Sequence, residues 1–156
     1  MKDKFAQIHI FTTDTVTGVG GPVNEETLKV LYELKQRPLN KKIMILVASL
    51  EQAQKFPQWT EKATKTAQQY WPGAYSIIVN DQGFRMPKNE QLLQFLEQYG
   101  PMYVTSANIS GNKPIQISQA NDIFPQIKNV HDFGEGSNKA STIINLDKNG
   151  EIIIRD

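Results

Sequence analysis

No cysteine occurs among the 156 residues, which excludes disulfides, thiolate nucleophiles and cysteine-held zinc. Histidine is scarce as well: His9 and His131 are the two present, with no HExxH spacing and no clustered His and carboxylate residues. A metal held directly by protein ligands is therefore not expected, and both histidines read as structural or surface residues, His131 isolated from any partner. No apolar run approaches the roughly 20 residues that span a bilayer, and the opening seven residues have no apolar h-region. The expectation is a cytoplasmic protein with no membrane contact. An excess of charge of one sign is missing too. Lys and Arg total 17 against 16 Asp and Glu, a net charge of +1, so a polyanion must be held by a local patch. Internal repeats, heptads and low-complexity tracts are absent. So are a Gly-Lys-Ser/Thr phosphate-loop ending and a dinucleotide-binding GxGxxG.

What remains is an ordinary globular composition, 39% hydrophobic and 21% charged. The length suits one domain, 1–156, with a full core. Residues 8–11 read as a strand. Asn24 caps a helix to about residue 34, with Leu28, Leu31 and Leu34 on one face. Residues 43–48 lack polar alternation, as in a strand covered on both faces. Ser49 and Gln52 form a capping box for a short helix, and Thr60 caps the next, which stops at Trp71-Pro72-Gly73. Residues 75–79 form a strand, Asp81-Gln82-Gly83 its turn, and Phe84-Arg85-Met86 follow. Asn89 caps a helix through Leu96, residues 102–105 form a strand, and another short helix starts at Ser118. Residues 142–146 and 151–154 close the chain as a hairpin with a four-residue connection. Mixed strand connections imply an α/β fold with a mixed sheet and flanking helices.

The chemistry gathers in four places. Thr12, Thr13, Asp14, Thr15 and Thr17, with Gly18, Gly20 and Gly21, offer either a ligand-binding loop of hydroxyls and amides or a solvent-exposed turn. Asp14 is equally suited to capping or turning the chain. Lys35 and Arg37 precede Pro38, Lys41 and Lys42 at a helix-to-strand junction. This cation group either grips a polyphosphate, through a point charge and a rigid fork, or complements a solvated helix end. Thr105-Ser106-Ala107-Asn108-Ile109-Ser110-Gly111 follows an apolar strand and is fit for an adenine edge, ribose or phosphate oxygens, or for a turn. Ser141 enters a strand in a similar way. Arg85 could turn inward to a carboxylate ligand or outward to a salt bridge, and Trp59 and Trp71 read as packing anchors.

Read together, these segments resemble the YrdC family of threonylcarbamoyl-AMP synthases. Thr12 to Gly20 is similar to a segment usually like PTDTVYGLG, Tyr32-Glu33-Leu34-Lys35-Gln36-Arg37-Pro38 to YxxKxRP, and Trp71-Pro72-Gly73 to WPG. Arg85-Met86-Pro87, the segment from Thr105 to Gly111, Ser141-Thr142-Ile143-Ile144 and Ile153-Ile154-Arg155 resemble R-V-P, TSANxSG, STVV and a terminal I-L-R. The resemblance implies a YrdC-like twisted sheet with a concave positive site, in the short form without an additional C-terminal domain. It also implies the reaction of L-threonine, bicarbonate or CO₂ and ATP to give L-threonylcarbamoyl-AMP and pyrophosphate. A transferase complex then uses that product to make N6-threonylcarbamoyladenosine in tRNA. By the same resemblance Lys35, Arg37, Ser106, Asn108 and Ser141 bind ATP with Mg²⁺, the two cations acting electrostatically, and Thr15 and Arg85 bind L-threonine. Departures are Thr12 for proline, Thr17 for tyrosine, Lys42 for proline, Tyr75 for leucine, and Asn40 where longer relatives carry histidine. The contrasting readings are a noncatalytic RNA-binding protein of the same fold, weak tRNA binding being compatible with either, and a phosphosugar enzyme, for which no acid/base and metal constellation is present.

Overall fold

Four capping side chains set where helices begin in the computed structural model, which describes residues 3–36, 43–109 and 111–155. Asn24 accepts the Thr27 amide at 2.8 Å and starts α1 (Glu25–Lys35). Ser49 caps α2 (Leu50–Gln54), Thr60 caps α3 (Glu61–Tyr70) and Asn89 caps α4 (Glu90–Tyr99), each accepting an N–H that the helix cannot satisfy itself. The expected capping box at Ser49 forms only in part. Gln52 Oε1 accepts the Ala48 amide at 2.7 Å, one residue before the cap. A last short helix, α5 (Ala120–Ile123), follows a 3-10 turn at Ile117–Gln119.

The helices flank a twisted mixed sheet. Its strands are β1 (His9–Phe11), β2 (Gly18–Pro22), β3 (Met44–Leu46), β4 (Tyr75–Val79), β5 (Gln82–Arg85), β6 (Met102–Ser106), β7 (Asn129–His131), β8 (Thr142–Asn145) and β9 (Glu151–Ile153). Among the described residues they lie in the order β7-β1-β2-β6-β3-β5-β4-β8-β9. Pairing is parallel at β1–β7, β3–β5 and β4–β8 and antiparallel elsewhere.

Four local expectations change. The glycines of residues 18–21 sit in β2, not in a loop, because Gly18 pairs with Ser106 and Gly20 with Val104 across to β6. The β4–β5 turn falls at Asn80 and Asp81 (φ 48° and 64°), with Val79 paired to Gln82, so Gln82 and Gly83 are already strand. Positive φ at both central residues suits a two-residue connection to the strand twist. The β8–β9 connection runs from Leu146 to Gly150, since Asn145 pairs with Glu151. β7 was not expected at all, and it brings His131 to His9, with Nδ1 of His9 3.0 Å from Nε2 of His131, so His131 is not isolated.

Strand alternation divides the core. Ile8, Ile10, Val19, Ile45, Ile77 and Phe84 face α1, α2, α3 and α5. Phe11, Leu46, Met102 and Val104 face the other way, toward Leu92, Phe95 and Leu96 of α4. Burying each such side chain fully stabilises by about 1.5–3 kcal/mol. Helix α4 covers only part of its face. Beside it, Met44, Leu46 and Val104 form the floor of an open basin.

Candidate functional site

The basin holds about 440 Å³ and, among the described residues, is lined by Arg85 and Arg155 and by no Asp or Glu. Thr15, Arg85, Ser106, Asn108 and Ser141 all line it, although they come from the β1–β2 connection, β5, β6 and the segments after β6 and before β8. Lys35 is not at its surface but behind it. Arg37, Lys41, Lys42 and Ser110 lie outside the described residues. Gly18 keeps the floor open, since a Cβ there would come 2.9 Å from Val104 Cγ1.

At one end Arg85 is held from three directions. Nη1 donates to Asp14 Oδ1 at 2.7 Å and to Gly73 O at 3.1 Å, and Nη2 donates to Thr15 Oγ1 at 3.0 Å. Asp14 is therefore an ion-pair partner, with its second oxygen accepting the Lys88 amide at 2.9 Å. The salt bridge expected as an external alternative for Arg85 is internal, with side-chain exposures of 6% and 13% for Arg85 and Asp14. The hydroxyls beyond it have a fixed polarity. Thr13 donates its one hydroxyl proton to Val16 O at 2.7 Å, so Thr15 is the donor in the 3.1 Å contact between their hydroxyls. Donation thus runs from Arg85 to Thr15 to Thr13 to Val16. The segment 133–138 straps this wall down: Ser137 N donates to Asp14 O, Asn138 N to Thr15 O, and Phe133 N to Thr12 Oγ1.

At the other end the last residue of α1 turns inward. Lys35 is 3% exposed, not a solvated helix end. Its Nζ donates to Ser106 O at 2.7 Å, Ser106 Oγ at 3.1 Å and Asn108 Oδ1 at 2.8 Å. Asn108 is locked in turn, its Nδ2 donating to Ile109 O and Asn112 O. Lys35 thus fixes and polarises the two groups that face the basin.

Ser141 completes the third side. Its hydroxyl lies 2.6 Å from that of Ser76 and accepts from Arg155 Nη2 at 2.8 Å, while Arg155 Nε donates to Ser141 O. Burial, then the charge of Arg85, lowers the Arg155 pKa from its ordinary value. Two guanidinium groups therefore repel across one basin, and an anion between them relieves that repulsion. Neither Ser76 nor Arg155 was assigned to the site from sequence. The signal for Arg155 was its place in the terminal Ile153-Ile154-Arg155 segment; Ser76 had none. Among the described residues no group of three or more His, Asp or Glu converges as a metal set.

The family model described as Telomere recombination, Sua5/YciO/YrdC, matches residues 4–156. The chain belongs to this family. It is 39% identical over 105 residues to the uncharacterized protein MG259 of Mycoplasma genitalium, covering 62% of this chain and 22% of that protein. Against the threonylcarbamoyl-AMP synthase of Pyrococcus abyssi it is 31% identical over 169 residues, covering 93% of this chain and 48% of the relative. The crystal structure of P. abyssi Sua5 complexed with L-threonine has the same fold, with a TM-score of 0.82 at 28% identity, over 93% of this chain and 48% of that one. The chain thus spans less than half the length of these relatives. Like other members of the Sua5/YciO/YrdC family it is a mixed α/β protein with a large twisted sheet, and no described helix is long and apolar enough to cross a membrane.

Proposed function

We propose that the protein is an L-threonylcarbamoyladenylate synthase, joining L-threonine, bicarbonate or CO₂ and ATP into L-threonylcarbamoyl-AMP and pyrophosphate. The observation that carries this reading is the basin itself, with two guanidinium groups, an array of hydroxyls and, among the described residues, no carboxylate. Names of relatives in the same family support it, as does the L-threonine complex of the P. abyssi protein.

An α-amino acid fits the Arg85 end by polarity. The Nε–H and one Nη2–H of Arg85 remain beyond its bonds to Asp14, Gly73 and Thr15, enough for a bidentate hold on a carboxylate. Thr15 gives its proton to Thr13, so toward the substrate it can only accept, which suits the amino group. The neutral amine attacks CO₂ and loses a proton to give the carbamate; starting from bicarbonate, water leaves. A carbamate oxygen then attacks the ATP α-phosphorus and pyrophosphate departs. No covalent nucleophile from the protein is needed, because orientation and charge stabilisation lower the barrier.

Ser106, Asn108 and Ser141 position the nucleotide in this reading, with Lys35 placing positive charge behind the first two and Arg37 gripping phosphate oxygens. Mg²⁺ arriving with ATP would be held by phosphate oxygens and water, with no protein ligand, and would supply positive charge to the phosphates. The product then passes to a threonylcarbamoyl transferase complex acting on tRNA. The test is purified protein with ATP, Mg²⁺, labelled bicarbonate and a panel of amino acids, read by mass spectrometry. A labelled adenylate that requires L-threonine, with pyrophosphate, is expected. Threonine-dependent ADP and phosphate without pyrophosphate would overturn the assignment.

A further inference from the structure

We propose that the outer edge of β9 is a dimer interface, where a second copy of this chain pairs its own β9 antiparallel, centred on Ile153. Strand β9 ends the sheet, with β8 on one side and, among the described residues, no strand on the other. Its Ile152 and Ile153 are 57% and 38% exposed, and Ile154 just beyond is 78% exposed. A fourth exposed side chain, Tyr75, shares a face with Ile152, because Ile77 pairs with Ile144 and Ile144 with Ile152. These are four of the six large apolar side chains that stand in solvent among the described residues, so such surface is concentrated at this edge. An open strand edge templates the addition of another strand unless lysine, proline or a covering segment guards it. Neither Lys nor Pro occurs between Glu151 and Ile154.

The order of residues identifies the occupant. A two-fold axis perpendicular to the sheet keeps each side chain on its own face, so the axis must pass through a residue. Centred on Ile153, the pairing sets Ile152 against the partner's Ile154, Ile153 against the partner's Ile153, and Glu151 against the partner's Arg155. Symmetry repeats the contacts, so every isoleucine meets isoleucine and both ends close on opposite charges. A centre at Ile152 sets Glu151 against Ile153, and a centre at Ile154 sets Arg155 against Ile153. Both lose the charge pairing. The edge is thus complementary to itself in one register, as an isologous interface requires.

Each copy also contributes to the other's basin. Arg155 uses Nε and Nη2 on Ser141, at 2.9 and 2.8 Å, which leaves Nη1. The partner's Glu151 comes one strand away on the same face, with a carboxylate for that nitrogen. It holds Arg155 from the sheet edge, as Asp14 holds Arg85 from behind the basin.

Sedimentation equilibrium of the full chain, from low to several hundred micromolar, tests the pairing. A small edge contact predicts a reversible dimer with a Kd of about 10–100 µM. Ile153→Lys places like charges on the axis and should leave monomer throughout. Glu151→Arg, set against the partner's Arg155, should weaken association roughly 10-fold. Both positions are exposed, and unchanged thermal unfolding at low concentration shows that each variant is folded. Register is read with cysteine, which the native chain lacks. Mild oxidation should link Ile153→Cys into a covalent dimer at least about 5-fold faster than Ile152→Cys, because residue 153 alone faces its own copy. A native chain that stays monomeric at every concentration overturns the proposal. So does a dimer that survives Ile153→Lys, is indifferent to Glu151→Arg, or cross-links equally fast through either cysteine.

Discussion

Two cavities lie on either side of the Thr13–Thr15 wall, the basin and a smaller one of about 230 Å³ that Thr12, Thr17 and the 132–138 strap help to line. They are built from similar hydroxyls and differ in the charged residues described around them. Among the described residues the basin is lined by Arg85 and Arg155 and no acid, the smaller cavity by Asp132 and Glu135 and no base. A wall of three residues, Thr13-Asp14-Thr15, separates them. What this teaches is that the hydroxyls set hydrogen-bonding capacity while the charged residues around them set which ligand uses it. It also shows where the internal neutralisation lies. Asp14 is kept out of the basin lining and compensates Arg85 from behind, so the basin face remains cationic.

The largest effect is expected when that compensation is broken. Arg85→Ala leaves the nearly buried Asp14 carboxylate without its partner, a loss of about 3–5 kcal/mol in stability. If Arg85 also holds the threonine carboxylate, threonine binding weakens by roughly 2–5 kcal/mol. The double variant Arg85→Met with Asp14→Asn separates these contributions. Denaturant unfolding should show stability largely restored, while threonine titration at saturating ATP shows no recovery. Recovery of both would reduce Arg85 to a structural ion pair.

Next in size is the Lys35 end. Lys35→Met keeps the length and removes the donor from Ser106 O and Asn108 Oδ1. A destabilisation of about 1–3 kcal/mol follows from leaving those acceptors short. Under the proposed function, ATP binding also falls more than threonine binding, measured by calorimetry with each ligand alone. Arg37→Ala should likewise impair synthesis more than Lys41→Ala, with Arg37→Lys an incomplete rescue because the planar fork is lost. An unchanged kcat/KM for ATP in folded Arg37→Ala removes that residue from phosphate binding.

A smaller effect is expected in the wall. Thr13→Val removes the oxygen that accepts both the Thr15 hydroxyl proton and the Thr15 amide. Thr15 is then free to rotate its proton toward the substrate. KM for threonine should rise roughly 2- to 10-fold with kcat little changed, and Thr13→Ser should restore it. An equal loss in KM for ATP would point to general loosening of the wall.

How much of this was legible in the sequence depends on whether the controlling interaction is local. Asn24, Thr60 and Asn89 act on amides three residues away, so their helix starts could be read directly. The apolar run at 43–48 likewise marked a strand, Met44–Leu46, but not one covered on both faces, since Met44 and Leu46 floor the open basin. The residues between Gly18 and Gly21 misled because glycine usually signals a turn. Here its value is the missing side chain beneath Val104, a fact that depends on pairing with β6. Strand β7 has half-buried residues and little alternation, and it becomes a strand only through its partner β1. At the site, the clustering of Thr105, Ser106 and Asn108 was visible as composition. The Asp14–Arg85 pair, 71 residues apart, and the burial of Lys35 were not, because helix periodicity locates a side chain along an axis without saying what covers its end.

The smallest expected effect lies at the far edge of the wall's support, where β7 runs into the strap. His9 and His131 sit 3.0 Å apart through Nδ1 and Nε2, which requires one nitrogen to donate and the other to accept. Burial, then the neighbouring His131, lowers the His9 pKa from 6.5 to about 4, and burial lowers that of His131 as well. The folded chain therefore binds fewer protons than the unfolded one between these values. Above pH 6.5 both states hold neutral histidine and the pair contributes in full. As pH falls from 6.5 to about 4 the unfolded chain takes up the proton first, so stability is lost across that window and no further from His9 below it. His9→Phe keeps a ring edge-on to Phe95, 5.2 Å away in the native pair, and removes the titrating group. Thermal unfolding at steps between pH 7 and pH 4 should then show a shallower decline in Tm for His9→Phe than for the native chain. Equal slopes would mean that acid destabilisation comes from carboxylates elsewhere and that the pair has no part in it.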